Sequence, residues 1–378
     1  MKVIQSIADI DLVSSGPSYA IPGICRGLMS AGVEVSLHTR RTLPPEDYHY
    51  TFPFVTYACK RSLILPCVSP EMKKGLARAC QTADILQSNV LWKMPCVYPA
   101  AAVSGTKCKL VVAPHGTLAT WALHKSYWKK KIFGWLFQNK VLRRADMFYA
   151  TSLKECSEIR AAGYRQPVAV IPLGMDVPEV VSHVKEDAGR MRKVVFFGRL
   201  HKVKGVDRLL LAWQQAVRDG WELVIAGPDC GMLDTLKGIV SDRKLPRVSF
   251  VGEIVGDTKY DFLAGGDIYV LPSDTENFGI TVAEALVCGT PVIASQGTPW
   301  EGLEREKCGR WVPIGVEPLV SALKEMMSLD DVERAEMGAR GKAWIRRDFS
   351  WEGFGVQMKA AYEWLLGRGP KPVCVHED

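Results

Sequence analysis

The chain has 378 residues, 47% of them apolar and 24% charged, with a formal net charge of +7. That length exceeds one ordinary core and suits two domains, and the composition is that of a soluble globular protein rather than a disordered or fibrous one. No run approaches the roughly 20 apolar residues of a membrane span. The 11 cysteines are scattered without a C-x-x-C pair, which argues against a disulfide framework or a zinc site and for a reducing, cytoplasmic setting.

In chain order, Val3–Ile7 reads as a first strand rather than a signal peptide, because Asp9 and Asp11 follow at once. Asp9-Ile10-Asp11 has no companion ligands and reads as structural; no metal is expected. Ser14-Ser15-Gly16-Pro17 then opens a helix over Tyr19–Ser30. Pro17 has no N–H to donate, so Ser15 and Gly16 are read as acceptor contacts rather than a phosphate cradle. Further strands are expected at Glu34–Thr39, Ile85–Gln87, Leu110–Pro114 and Met147–Ala150. His115 follows the Leu110–Pro114 strand, where it either bonds a ligand or is satisfied by the backbone.

The basic stretch from His124 to Arg144 is read as one helix whose Trp128, Ile132, Trp135 and Leu136 face the core. Phe133 and Phe137 then fall on the outer side among Lys129, Lys130, Lys140 and Arg144. Such a face suits either an anionic membrane surface or plain solvent with the rings covered by a loop. No nucleic-acid module is present.

The chain changes domain near Pro172–Pro178, followed by a charged linker over Val184–Arg192. Strands recur at Val194–Phe197, Glu222–Ala226, Val248–Val251, Asp267–Leu271 and Pro291–Ala294. The alternation predicts an α/β protein of two Rossmann-like domains, 1–172 and 173–350, with parallel sheets facing a central cleft. A closing helix and tail occupy 351–378. Ligands in such folds lie at the carboxyl ends of strands. There, Gly198-Arg199-Leu200 and Lys204-Gly205 put two cations beside a glycine turn, as a diphosphate requires. Asp267–Leu271 leads into Glu276-Asn277-Phe278-Gly279-Ile280-Thr281, and Glu284 follows Glu276 by eight residues. That spacing is just over two helical turns, so one carboxylate can sit at the loop mouth and the other further along the helix. Gly279 lets a ligand approach the new helix's N–H groups, which favour an anion. Each motif alone could be ordinary surface; the two in one half point to a sugar nucleotide. The G-x-G-x-x-G fingerprint of dinucleotide enzymes is absent.

These motifs, with Ile171-Pro172-Leu173-Gly174-Met175-Asp176 as a domain-junction strand and turn and with Pro114-His115-Gly116, resemble those of bacterial retaining glycosyltransferases of family 4, which have the GT-B fold. The resemblance implies a hexosyltransferase moving a sugar, most simply from UDP, to a lipid-linked saccharide in cell-surface polysaccharide (lipopolysaccharide-type) assembly. It implies an acceptor-binding first domain, a donor-binding second domain and final helices that cross back onto the first. It gives Arg199 and Lys204 to the diphosphate, Glu276 to the transferred sugar, Glu284 to the ribose and His115 to sugar hydroxyls. Gly198, Asn277, Phe278, Gly279, Ile280 and Thr281 complete the donor site. No metal or other cofactor is implied, and the setting is cytoplasmic, at the inner face of the membrane. A soluble transferase, a GT-B epimerase and a sugar-nucleotide-binding scaffold are the competing readings.

Overall fold

Short runs of β-branched and apolar residues bounded by turns become parallel strands buried on both faces, so their hydrophobicity is nearly continuous rather than alternating. In the computed structural model, residues 1–10, 16–40, 51–58, 67–124, 126–177 and 189–377 are described. Ser15 and Asp11 lie outside them, as does most of the charged linker. The chain divides into two units, one of Met1–Asp176 with Phe349–Asp378 and one of Val177–Asp348. The first crossing, at 176, falls within the expected Pro172–Pro178 and four residues past the bound of 172, and the return at 349 comes two residues before 351. Residues 171–177 carry no strand, in contrast to the expected junction strand; Met175 N–H instead bonds Phe349 carbonyl at 2.7 Å.

The first unit holds β1 (Lys2–Ile7), β2 (Glu34–Arg40), β3 (Phe54–Tyr57), β4 (Ile85–Asn89), β5 (Lys109–Ala113), β6 (Met147–Ala150) and β7 (Val168–Val170). The second holds β8 (Arg192–Phe197), β9 (Trp221–Ala226), β10 (Val248–Gly252), β11 (Ile268–Leu271), β12 (Val292–Ser295) and β13 (Gly309–Val312). The chain's last strand, β14 (Val375–His376), returns to the first unit. Among the described residues the first sheet runs β14-β7-β6-β5-β4-β1-β2-β3 and the second β10-β9-β8-β11-β12-β13. Every pair is parallel except β14 with β7. All the expected strands are present, and β3, β7, β13 and β14 are additions.

The final helix, Trp351–Leu365, begins at Ser350, whose Oγ accepts from Gly353 N–H at 2.9 Å. It packs on the helix Gly16–Ser30 of its own unit. The Trp351 indole lies where any side chain at Gly23 or Gly174 would stand. Trp351, Phe354 and Tyr362 are buried there, and the Tyr362 hydroxyl donates to Gln87 Oε1 at 2.5 Å.

The basic stretch is not one regular helix. Tyr127–Phe133 is α-helical, Gly134–Gln138 is a π-helical turn, and Asn139–Arg144 is α-helical again. Its buried face is the reverse of the expected one. Trp128, Ile132, Trp135 and Leu136 are exposed, while Phe133 and Phe137 are half-buried with ring centroids 5.3 Å apart. Lys130 is also half-buried: its ammonium donates to the Ala122 carbonyl and sits 5.7 Å from the Trp92 ring centroid. Gly134 and Gln138 select this face. Gly134 is buried beside the Trp92 ring, and the Gln138 side-chain oxygen accepts from Trp92 N–H at 3.1 Å. The π turn then shifts the helical phase of Asn139–Arg144 relative to Tyr127–Phe133.

Candidate active site

Strand β8 pairs with β11 in parallel, so the loops leaving their carboxyl ends emerge side by side. After β8 the chain turns through the short 3₁₀ segment Lys202–Lys204, capped by His201 Nδ1, which accepts from Val203 N–H at 3.2 Å. Gly205 follows in the left-handed conformation, φ +66, with its Cα hydrogen side against the Pro272 carbonyl, where a Cβ would come within 2.3 Å. Lys204 is thereby aimed at the loop after β11. Its Nζ lies 2.6 Å from Glu276 Oε1, both side chains being less than 15% exposed (13% and 14%). Ser273 Oγ donates to the same carboxylate oxygen at 2.6 Å.

The Glu276 loop is tied down from a third strand end. Its N–H donates to the Gly297 carbonyl at 2.9 Å, Ser295 Oγ bonds the Ser273 carbonyl, and Trp300 Nε1 donates to the Phe278 carbonyl at 2.6 Å. The Phe278 and Trp300 rings pack with centroids 5.2 Å apart. Gly279, at φ +74, is the turn residue from which the helix Ile280–Val287 starts. Glu276 is thus in the loop before the helix, not on it. Thr281 Oγ1, on the helix's first turn, sits 2.6 Å from the Tyr269 hydroxyl of β11.

Glu284, inside that helix, is almost fully buried (side chain 4% exposed) and meets Lys259 at 2.5 Å. Burial raises its carboxyl above the usual carboxylate range, with Lys259 pulling the other way. Arg199 is exposed at the end of β8, and among the described residues no ion pair holds it. Arg208 meets Asp274 at 2.7 Å beside the same loops. The second unit therefore brings Arg199, Lys204, Glu276 and the start of the Ile280–Val287 helix to neighbouring strand ends. A fixed cation, a carboxylate and orphan N–H groups together suit a ligand carrying both phosphate and hydroxyls.

In the first unit His115 stands at φ +51 after β5. Its Nε2 is 3.1 Å from Asn89 Oδ1 at the end of β4. Asn89 Nδ2 donates to Gln5 Oε1 at 2.9 Å, which orients the amide so that its oxygen accepts from Nε2–H and Nδ1 is left as an acceptor. Burial pulls the imidazole down to about 4, so it is neutral near pH 7. The turn is clamped by Glu155, whose carboxylate accepts from Gly116 N–H at 2.7 Å and Thr151 N–H at 2.8 Å. Gly16 begins the helix Gly16–Ser30 and is exposed. Asp9 pairs with Lys93 and, at 3.3 Å, with Arg40. Among the described residues no cluster of three or more His, Cys, Asp or Glu side chains is placed to hold a metal ion.

Sequence reasoning missed Ser273, Gly297, Trp300, Lys259, Asn89 and Glu155. Ser273 stands three residues before Glu276 in the same loop; each of the others acts from a different element than the motif it supports, so no spacing along the chain announces it.

Residues 182–344 match the family model described as "Glycosyl transferases group 1", and residues 18–179 the model "Glycosyltransferase Family 4". The chain is 27% identical over 359 residues to a GDP-mannose-dependent monoacylated alpha-(1-6)-phosphatidylinositol monomannoside mannosyltransferase of Corynebacterium glutamicum, covering 86% of this chain and 88% of that protein. It is 30% identical over 212 residues to the phosphatidyl-myo-inositol mannosyltransferase of Mycobacterium tuberculosis, covering 53% and 55%. In structure it is similar to Anabaena HepE solved with UDP and glucose, with a TM-score of 0.74 and 19% identity over 96% of this chain and 100% of that one. The sucrose-phosphate synthase of Thermosynechococcus elongatus is similar to the same degree, with a TM-score of 0.73 and 20% identity over 97% and 100%. These likenesses show the GT-B architecture of two parallel-sheet α/β domains.

Proposed function

Since this chain belongs to the glycosyltransferase family whose two halves those models describe, we propose that it moves a hexose from a nucleoside diphosphate donor to a lipid-linked saccharide, retaining the anomeric configuration. The observation that carries this reading is the Lys204–Glu276 pair at the ends of adjacent parallel strands. It holds a cation for the diphosphate within 3 Å of a carboxylate for the sugar, each preset before any ligand arrives.

The chemistry follows from charge. As the bond from the anomeric carbon to the phosphate oxygen breaks, negative charge grows on the diphosphate. Arg199, Lys204 and the N-terminal N–H groups of the Ile280–Val287 helix stabilise it, which is electrostatic catalysis in a fixed frame. The acceptor oxygen bonds the anomeric carbon on the face the diphosphate leaves, and its proton passes to the departing phosphate oxygen. Glu276 orients the sugar's hydroxyls without acting as nucleophile, and Glu284 takes the ribose. Asn277, Phe278 and Gly279 shape the loop beside them. His115, neutral with Nδ1 open, would accept from a sugar hydroxyl. Two cations, Lys204 held by Glu276 and Arg199 at the end of β8, supply the neutralisation a metal gives elsewhere, so the reaction is proposed to need none.

The proposed donor is UDP-linked. The corynebacterial relative's name, with GDP-mannose in it, supports guanosine instead, and its phosphatidylinositol-borne acceptor supports a lipid carrier here. The place of action would be the cytoplasmic face of a membrane, in cell-surface polysaccharide assembly.

Thermal unfolding with UDP, GDP, ADP and CDP, each with and without chelator, tests the donor site. A ligand bound only by the native state raises the midpoint by mass action. A rise with one nucleotide, indifferent to chelator, supports the metal-free site and names the base. A rise abolished by chelator overturns metal independence, and no rise with any nucleotide turns the reading towards a scaffold.

A further inference from the structure

We propose that the exposed apolar face of the Tyr127–Phe133 helix and the π turn after it inserts into the headgroup layer of an anionic lipid bilayer. Trp135 is 75% exposed, Trp128 69% and Ile132 57%, and Leu136 and Tyr127, whose ring packs against Trp128, flank them. Positions 128, 132, 135 and 136 share one side of the segment, so these side chains form a continuous patch rather than scattered surface residues. A contiguous exposed patch of that kind marks an interaction surface.

Charge and shape select the partner. Between Asp84 and Asp146 the chain contains no acidic residue, while Lys129, Lys131, Lys140, Arg143 and Arg144 are all exposed on or beside this segment. The Lys131 ammonium sits 5.1 Å from the Trp128 ring centroid, so cation and indole are presented together. Tryptophan prefers the boundary where one end of the ring is apolar and the N–H stays wet. Each lysine or arginine near an anionic leaflet adds about 1 kcal/mol of attraction. A protein partner would call for a matching acidic groove. A bilayer needs only this combination of rings and cations on a convex helix. Among the described residues no helix is long and apolar enough to cross a membrane, so contact of this kind would be peripheral.

The inference deepens the proposed function by naming the surface that would bring the enzyme to a lipid-borne acceptor, and it rests on that reading for its role. The inserted residues are not the phenylalanines favoured by periodicity, since Phe133 and Phe137 are turned inward.

The test is co-sedimentation with vesicles of equimolar phosphatidylglycerol and phosphatidylcholine, against phosphatidylcholine alone, without nucleotide or acceptor. The unmodified protein should pellet with the anionic vesicles and leave them at high salt. Trp128→Ser with Trp135→Ser should weaken that binding on the order of tenfold or more, from lost apolar burial. Lys129→Glu with Lys131→Glu, a second variant that leaves the rings intact, should do the same while removing the salt dependence. Both variants should keep the nucleotide-induced rise in unfolding temperature, which reads a different unit. Vesicle binding unchanged in both variants would overturn the proposal. So would an unmodified protein that ignores vesicles but self-associates through this face. Vesicle binding with no nucleotide response would uphold the surface and sink the donor site instead.

Discussion

The loops after β8 and β11 and the basic segment around Gly134 are both rich in charge, yet the sequence exposes their geometry to very different degrees. In the loops, each charged residue sits a few positions beyond a buried strand, and parallel pairing of β8 with β11 forces the two loops to be neighbours. Lys204 and Glu276 meet at 2.6 Å although 72 residues separate them. In the basic segment the pattern set four large apolar side chains on one face and Phe133 and Phe137 among basic residues on the other, and the four were turned outward. Strand ends are fixed by the sheet, which has one solution. Helix faces are fixed by rotation, and there a glycine and a buried glutamine outweighed four large apolar side chains.

The sharpest way to break this contrast is Lys204→Ala. If the strand-end geometry is catalytic, transfer should fall by about three orders of magnitude, since a partly buried diphosphate loses its charge partner. Near-normal turnover in a direct assay of sugar transfer would reduce the loop pair to a structural tie. Glu276→Gln comes next. It should lower kcat by about a hundredfold while nucleotide affinity by titration stays close to normal; weakened nucleotide binding with preserved kcat would exchange the roles of Glu276 and Glu284.

Lys259→Ala tests the second carboxylate through stability. Removing the partner strands a buried Glu284 charge, at a cost of about 3 kcal/mol to folding of the second unit. Because burial raises the Glu284 carboxyl and Lys259 holds it down, the variant carboxyl should titrate higher still. Its folded pKa would then stand further above the unfolded one, so the variant's deficit should shrink as pH falls towards the carboxylate range. Urea unfolding at several pH values reads both; a deficit independent of pH would mean that Lys259 acts by packing alone. Smallest of all, Phe137→Ala should lose on the order of 1 kcal/mol of stability from a half-buried ring and leave vesicle binding unchanged. The opposite result, intact stability with lost binding, would restore the face that periodicity favoured.

Much of the fold was legible because its signals are local. Val194–Phe197 and Asp267–Leu271 are apolar runs that can only be buried strands, and the α/β alternation around them leaves little choice beyond parallel sheets. The donor motifs were legible for the same reason, since Gly198-Arg199 and Asn277-Phe278-Gly279 directly follow such strands. The helix start was legible too: Glu276 sits at the loop mouth, because Gly279 at φ +74 begins the helix only after it.

Sequence by itself determined the family, the order of elements and the charged residues at the strand ends, because strand burial and strand-end loops depend on neighbours along the chain. Tertiary structure alone decided who pairs with whom. Lys259 reaches Glu284 from another helix, Asn89 sets the His115 tautomer from an adjacent strand, and the Ser295–Trp300 turn holds the Glu276 loop. It also decided which side of the basic segment faces out, since helix rotation is set by close approach to Trp92, a residue distant in sequence that periodicity cannot see.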